Sequence, residues 1–119
     1  MQKPLPMKEK FEIILLQEVS EFLDSLDSKT REKIIYNLRK SQFISDVDLF
    51  KKLKDEIWEF RTFYNKKYIR LFSFWDKTEK SNTIVVSTHG IIKKSGKTPL
   101  LEIEKAENIR LKYLAEKNK

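Results

Sequence analysis

The sequence predicts an α+β fold: a twisted, mostly antiparallel sheet preceded by two helices and followed by a third, in one domain spanning residues 1–119. Three observations predict it. Apolar residues recur at helical spacing between Leu16 and Leu38, alternation with a period of two begins at about Ile57, and helical spacing returns after Pro99. No internal repeat or low-complexity linker interrupts the pattern.

The stretch from Lys8 to Ile14 carries Phe11, Ile13 and Ile14 and fits an opening strand, although the same pattern suits a helix start. Val19, Phe22, Leu23 and Leu26 then form one helical face. Asp27 or Ser28 suits the N-cap of a second helix with Ile34, Ile35 and Leu38 on its buried side. Arg39 and Lys40 complement that helix's negative end. Asp46 to Lys54 reads as a connector with room for a helical turn.

From Ile57 to Tyr64, Trp58, Phe60, Thr62 and Tyr64 share one strand face, and Ile57, Glu59, Arg61 and Phe63 share the other. Asn65-Lys66 fits a two-residue hairpin turn, because Asn tolerates positive φ. The next strand runs from Tyr68 to Trp75, with Arg70 on the face of Tyr68 and Phe72. A polar turn covers Asp76 to Asn82, and Thr83 to Ile91 is a third strand rich in β-branched residues. Pro99 suits the first turn of a final helix whose stripe is Ile103, Ala106, Ile109 and Tyr113.

The net charge of +7 is concentrated in the middle of the chain, where ten lysines and two arginines between Lys51 and Lys97 face five acids. A basic centre between nearly neutral flanks points to a phosphate-binding face. The N-terminus lacks the apolar core of a signal peptide and no run approaches membrane-spanning length, so the expectation is a soluble, cytoplasmic protein. Without cysteine, neither a disulfide framework nor a Cys-based zinc site is available.

His89 is the only histidine, which excludes schemes that need two imidazoles. Gly90 and Gly96 are the only glycines, so neither a Walker loop nor a Gly-x-Ser-x-Gly elbow is present. The acids show no paired spacing suited to magnesium, and no cofactor is expected. Metal-free RNA cleavage stays open, because the RNA 2′-hydroxyl is itself a nucleophile. The protein then needs a base, an acid and charge stabilisation. Arginine's planar fork suits a phosphorane-like transition state. Crowded cations lower a lysine's pKa toward that of a usable base. Arg61, Arg70, Lys93, Lys94 and Lys97 are the cations in question.

Four pieces in order carry a resemblance: Trp58-Glu59-Phe60-Arg61, Tyr68-Ile69-Arg70-Leu71, His89-Gly90-Ile91-Ile92-Lys93-Lys94, and Lys97-Thr98-Pro99 with Glu102-Ile103 and Ala106. Together they resemble the RelE/HigB-type toxins of bacterial toxin–antitoxin pairs, in particular the phage-derived branch with its Trp-Glu-x-Arg strand and Lys-Lys-x-x-x-Lys-Thr-Pro loop. The resemblance implies a RelE-like domain that cleaves mRNA, typically in the ribosomal A site. Its partners would be mRNA, the ribosome and a cognate antitoxin, expected to be a helix-turn-helix protein forming a hetero-oligomer with the toxin. By the same resemblance, Arg61 and Arg70 hold the scissile phosphate, and His89 and Lys93 join them as catalytic residues. Lys94 and Lys97 bind RNA. Phe63, on the face of Arg61, suits stacking on a base. The sequence lacks the C-terminal catalytic tyrosine pattern of the best-known RelE proteins and the second histidine of some HigB proteins.

Structural roles compete for several of these residues. Glu59 can pair with Arg61 on its own strand face, and an apolar strand leaves Arg70 needing an acid or a functional cleft. His89 equally suits a hydrogen-bonded strand end. Two other functions remain compatible with the residues: a non-catalytic nucleic-acid-binding module, and a toxin-fold co-repressor acting on DNA with its antitoxin.

Overall fold

The computed structural model of the chain describes residues 8–78, 83–94 and 97–118. β1 (Glu12–Leu15) leads through α1 (Gln17–Asp24) and α2 (Ser28–Ser41) to β2 (Phe50–Lys54), β3 (Ile57–Tyr64), β4 (Lys67–Asp76) and β5 (Ile84–Lys93), and α3 (Leu100–Lys117) follows. The five strands form one sheet in the order β1-β5-β4-β3-β2. β1 runs parallel to β5, and every other pairing is antiparallel. The α+β class and the mostly antiparallel sheet are as the periodicity predicts.

Local chemistry sets the boundaries. Asp27 caps α2 by accepting from the Thr30 amide at 3.1 Å and from its hydroxyl at 2.7 Å. Arg31 donates to the Leu23 and Leu26 carbonyls, which satisfies the end of α1 from the start of α2. Asn65 and Lys66 both take positive φ, 51° and 62°, as a tight hairpin twisted with its strands requires.

The expected connector from Asp46 to Lys54 needs correction. Its first part does turn, with the Leu49 and Phe50 amides donating to the Asp46 carbonyl, but Phe50–Lys54 is a strand paired with β3. Lys51, Lys52 and Lys54 conceal it from a hydrophobicity pattern. Such lysines belong on an edge strand, where they discourage pairing with other chains. The polar turn expected at Asp76–Asn82 falls partly outside the described residues, and Asp76 itself ends β4.

Each sheet face has its own core. On one, Val19 and Leu23 of α1 and Ile34 and Leu38 of α2 pack with Phe60, Ile69, Leu71 and Val85. Gly90 lets α1 approach: a Cβ there would meet the Phe22 ring at 2.5 Å. On the other face, Ala106 of α3 is fully buried with Ile57, Phe72, Phe74 and Val86, and Ile103 and Tyr113 pack around them. Ile109, expected in the same stripe, is only half-buried. Among the described residues, no helix is long and apolar enough to cross a membrane.

Asp76 ties α3 to the sheet. Its buried carboxylate accepts from the Tyr113 hydroxyl at 2.9 Å and from Lys117 Nζ at 2.6 Å. Despite the opposing cost of burial, hydrogen bonds from Lys117, Thr78 and Tyr113 hold its pKa well below the ordinary carboxylate value. A depressed folded-state pKa contributes stability above the unfolded value, near 3.9, and that stability is lost as pH falls through the folded value. Asp76→Asn is therefore expected to lower stability at pH 7 by about 1–3 kcal/mol. It should also make stability fall less steeply below about pH 4. Denaturant titrations of both proteins at several pH values check this, and parallel pH profiles would contradict it.

Candidate active site

The register of β3, β4 and β5 sorts the candidate residues into cross-strand rows on the α3 face. Residues directly opposite one another share a face. Glu59 faces Phe72, which faces His89; Arg61 faces Arg70, which faces Ile91; Phe63 faces Tyr68, which faces Lys93. Lys51 of β2 extends the first row beside Glu59. A bulge between Phe72 and Ser73 decides the lysine. Ser73 lies opposite Ser87 but Phe72 opposite His89, so Thr88 is an extra residue and the alternation of β5 changes phase there. That phase change puts Lys93 in the row of Tyr68.

The rows border an open hollow of about 310 Å³ lined by Lys51, Lys54, Glu59, Arg61, Lys93 and Lys97, with Leu53, Thr98 and Ile103 completing it. Five cations thus surround one carboxylate. A hollow of similar size, about 340 Å³, lies on the opposite face over Phe50, Trp58 and Trp75, and among the described residues its charged lining is Lys10 and Asp46. Charge separates the two, and only the first suits a polyanion.

Glu59 organises the cationic hollow from below. It is 3% exposed, and its two oxygens lie 3.5 Å from Arg61 Nε and 3.5 Å from Arg70 Nε. At those distances the pairs are ionic rather than aligned hydrogen bonds, and both Nε–H groups are buried without a hydrogen-bond partner among the described residues. The Thr98 hydroxyl donates to Glu59 at 3.2 Å, and Lys93 Nζ lies 3.5 Å from the same hydroxyl. The segment before α3 is thereby fastened to β3 and β5.

The two arginines are held differently. Arg70 is 5% exposed; it donates to the Ile69 carbonyl at 3.0 Å and lies 5.8 Å from the Tyr68 ring centroid. Burial lowers its pKa, with Glu59 opposing. Arg61 borders the hollow and donates to the Val47 carbonyl at 3.3 Å. Burial lowers the pKa of Lys93, and the Arg70 charge lowers it further.

The other expected residues separate into two groups. Lys97 lines the hollow, whereas Lys94 is exposed just beyond β5 and outside the lining. Phe63 is exposed on the predicted face. Ser95 and Gly96, between the loop lysines, lie outside the described residues. His89, expected among the catalytic residues, lies outside the lining of the hollow. It is 1% exposed and stacked on Phe72 at 4.8 Å, with Thr88 Oγ1 3.0 Å from Nδ1 and Glu102 3.3 Å from Nε2. Phe72 stands between it and Glu59 in the row, and burial pushes its pKa down, with Lys105 lowering it further and Glu102 opposing. Tyr113 is committed to Asp76 and to the edge of Phe74.

At the level of sequence Glu59 has no part beyond pairing with Arg61, Thr98 and Tyr68 stand within the motif pieces without an assigned role, and Lys51 has none. The spacing of Glu59 and Arg61 was a usable signal. Lys51 and Thr98 reach the site only through pairing and chain reversal.

The family model described as Phage derived protein Gp49-like (DUF891) matches residues 21–111, and the chain belongs to that family, which is of toxin type. The matched span holds every residue of the cationic hollow. No curated protein matches the chain significantly. Membership is compatible with the part of a toxin in a toxin–antitoxin pair.

Proposed function

We propose that this member of the Gp49-like family is a RelE/HigB-type toxin that cleaves mRNA without a metal, acts on the ribosome, and is silenced by a cognate antitoxin. The observation that supports it most is the convergence of Arg61, Arg70 and Lys93 from three adjacent strands around one neutralising carboxylate. In the proposed reaction the 2′-oxygen bonds to the adjacent phosphorus while its proton passes to Lys93 in its neutral form. The bond from phosphorus to the 5′-oxygen breaks, and that oxygen takes a proton from water or a cation of the cleft. The products are a 2′,3′-cyclic phosphate and a 5′-hydroxyl. Arg61 and the field of buried Arg70 stabilise the charge that builds on the phosphoryl oxygens.

Lys93 brings a pH dependence with a defined sign. A general base works deprotonated, so the rate is expected to rise with pH and level off above the lowered pKa of Lys93. Lys93→Arg keeps the charge and cannot lose its proton, so it should abolish that rising limb. A pH–rate profile unchanged in this variant removes Lys93 from the chemistry.

The reading as a whole is tested by expressing the chain with and without the small reading frame beside its gene, and by incubating pure protein with mRNA-programmed ribosomes plus chelator. The expected result is growth arrest relieved by the neighbour and cleavage that survives chelation. RNA bound but left intact, with normal growth, would make the chain a non-catalytic nucleic-acid-binding module.

A further inference from the structure

At the tip of the β3–β4 hairpin, Phe63 and Tyr68 pack against one another with ring centroids 4.6 Å apart and planes tilted by 43°, and they are 56% and 40% exposed. They are opposite one another in the ladder, in the row that ends at Lys93 and adjoining the row of Arg61 and Arg70. Along the strands their backbone row thus lies one repeat, about 6.6 Å, from that of the two arginines. Elsewhere on this sheet face the large rings are buried: Phe72 and Phe74 have no exposure at all. The backbone beneath the exposed pair is fixed by the tight Asn65-Lys66 turn, so little conformational entropy remains to be lost when a flat ligand covers it.

We propose that Phe63 and Tyr68 form a two-ring platform that takes one unpaired base of an RNA strand whose adjoining phosphate sits among Arg61, Lys93 and Lys97. This rests on the reading of the cleft as an RNA site and deepens it. Three features point to a nucleotide: a π surface for a base, cations one row away for its phosphate, and the cationic guanidinium of Arg70 5.8 Å from the Tyr68 ring, where it polarises the platform. Stacking of this kind tolerates any base, since each has a π face, but not a base pair, whose faces are occupied within a helix. The platform therefore selects strand state rather than sequence. Tyr68 becomes a binding residue equal to Phe63.

The test uses the full chain and a short single-stranded RNA methylated at every 2′-oxygen, which cannot react. One position carries 2-aminopurine, and a matched RNA is abasic there. Phe63→Leu and Tyr68→Leu keep apolar packing at the hairpin and lose the ring face, and thermal melting checks that both variants are folded. Expected are quenching of the 2-aminopurine on binding, a roughly tenfold or larger loss of affinity in the Leu variants, and an unchanged salt dependence. The abasic RNA should bind wild type about as weakly as the intact RNA binds the double variant, with no further loss when both changes are combined. Folded Leu variants that bind both RNAs as wild type does would overturn the platform and leave the pair a hairpin clasp. Equal affinity for a duplex of the same sequence would overturn it too, as would failure of wild type to bind the single strand at low salt. Stacking without cleavage of an unmethylated RNA, free or ribosome-bound, would uphold the platform and sink the nuclease.

Discussion

Arg61→Lys is expected to slow RNA cleavage about a hundredfold or more while leaving the protein folded, and Arg70→Ala, which removes the buried charge itself, to slow it comparably. Lysine keeps the positive charge and can still face Glu59, so the first loss isolates the planar fork and its several donors. The two should differ in binding. Arg61 borders the hollow, and its replacement by alanine should also weaken RNA affinity and reduce the salt slope. Arg70 is nearly enclosed and acts across the low-dielectric sheet face, so its loss should fall mostly on the chemical step. Single-turnover rates beside affinities for a methylated, inert RNA separate these effects. Full activity in Arg70→Ala would defeat its assignment.

Glu59→Gln should produce the largest loss of stability among the residues of the site. The substitution keeps the shape and removes the only negative charge lining the hollow among the described residues, leaving Arg70 enclosed without the Glu59 counter-ion. Breaking a buried ionic pair from one side costs roughly 3–5 kcal/mol; Arg61, 28% exposed, recovers solvation and holds the figure toward the lower end. A specific companion effect follows. An anion seated among the cations replaces the missing charge, so sulfate or inert RNA should stabilise Glu59→Gln more than wild type. Urea titrations with and without sulfate measure both quantities. An unaltered midpoint would show that Glu59 does not hold the arginines in place.

The helices, the β3–β4 hairpin and its two-faced alternation were legible because each rests on local chemistry. Asp27 caps where short polar side chains cap, Asn65 turns where positive φ is needed, and Arg61 shares a face with Phe63 by counting. β2 was illegible because an edge strand answers to solvent on its open side, and three lysines satisfy that better than an apolar alternation. The choice of Lys93 over Lys94 for the lining was illegible for a different reason. Counting by twos from Ile84 places Lys94 on the cationic face, and the extra residue at Thr88 transfers that place to Lys93. A bulge depends on what the neighbouring strand offers, which no window along one strand contains. The burial of His89 is set by α3 arriving above it through Glu102, again a tertiary fact.

The parallel pairing of β1 with β5 has a consequence for the chain's birth. Glu12 lies opposite Ile84, so the first strand has no seat until the last one has been synthesised. Such a long-range pairing carries a loop-closure cost and slows folding. Lys93 and Thr98 arrive with or after that last strand, whereas Glu59, Arg61 and Arg70 precede it. A nascent or prematurely terminated chain therefore carries Arg61 and Arg70 without the proposed base or the hydroxyl that fastens the loop, and translation must pass Thr98 before the cleft exists.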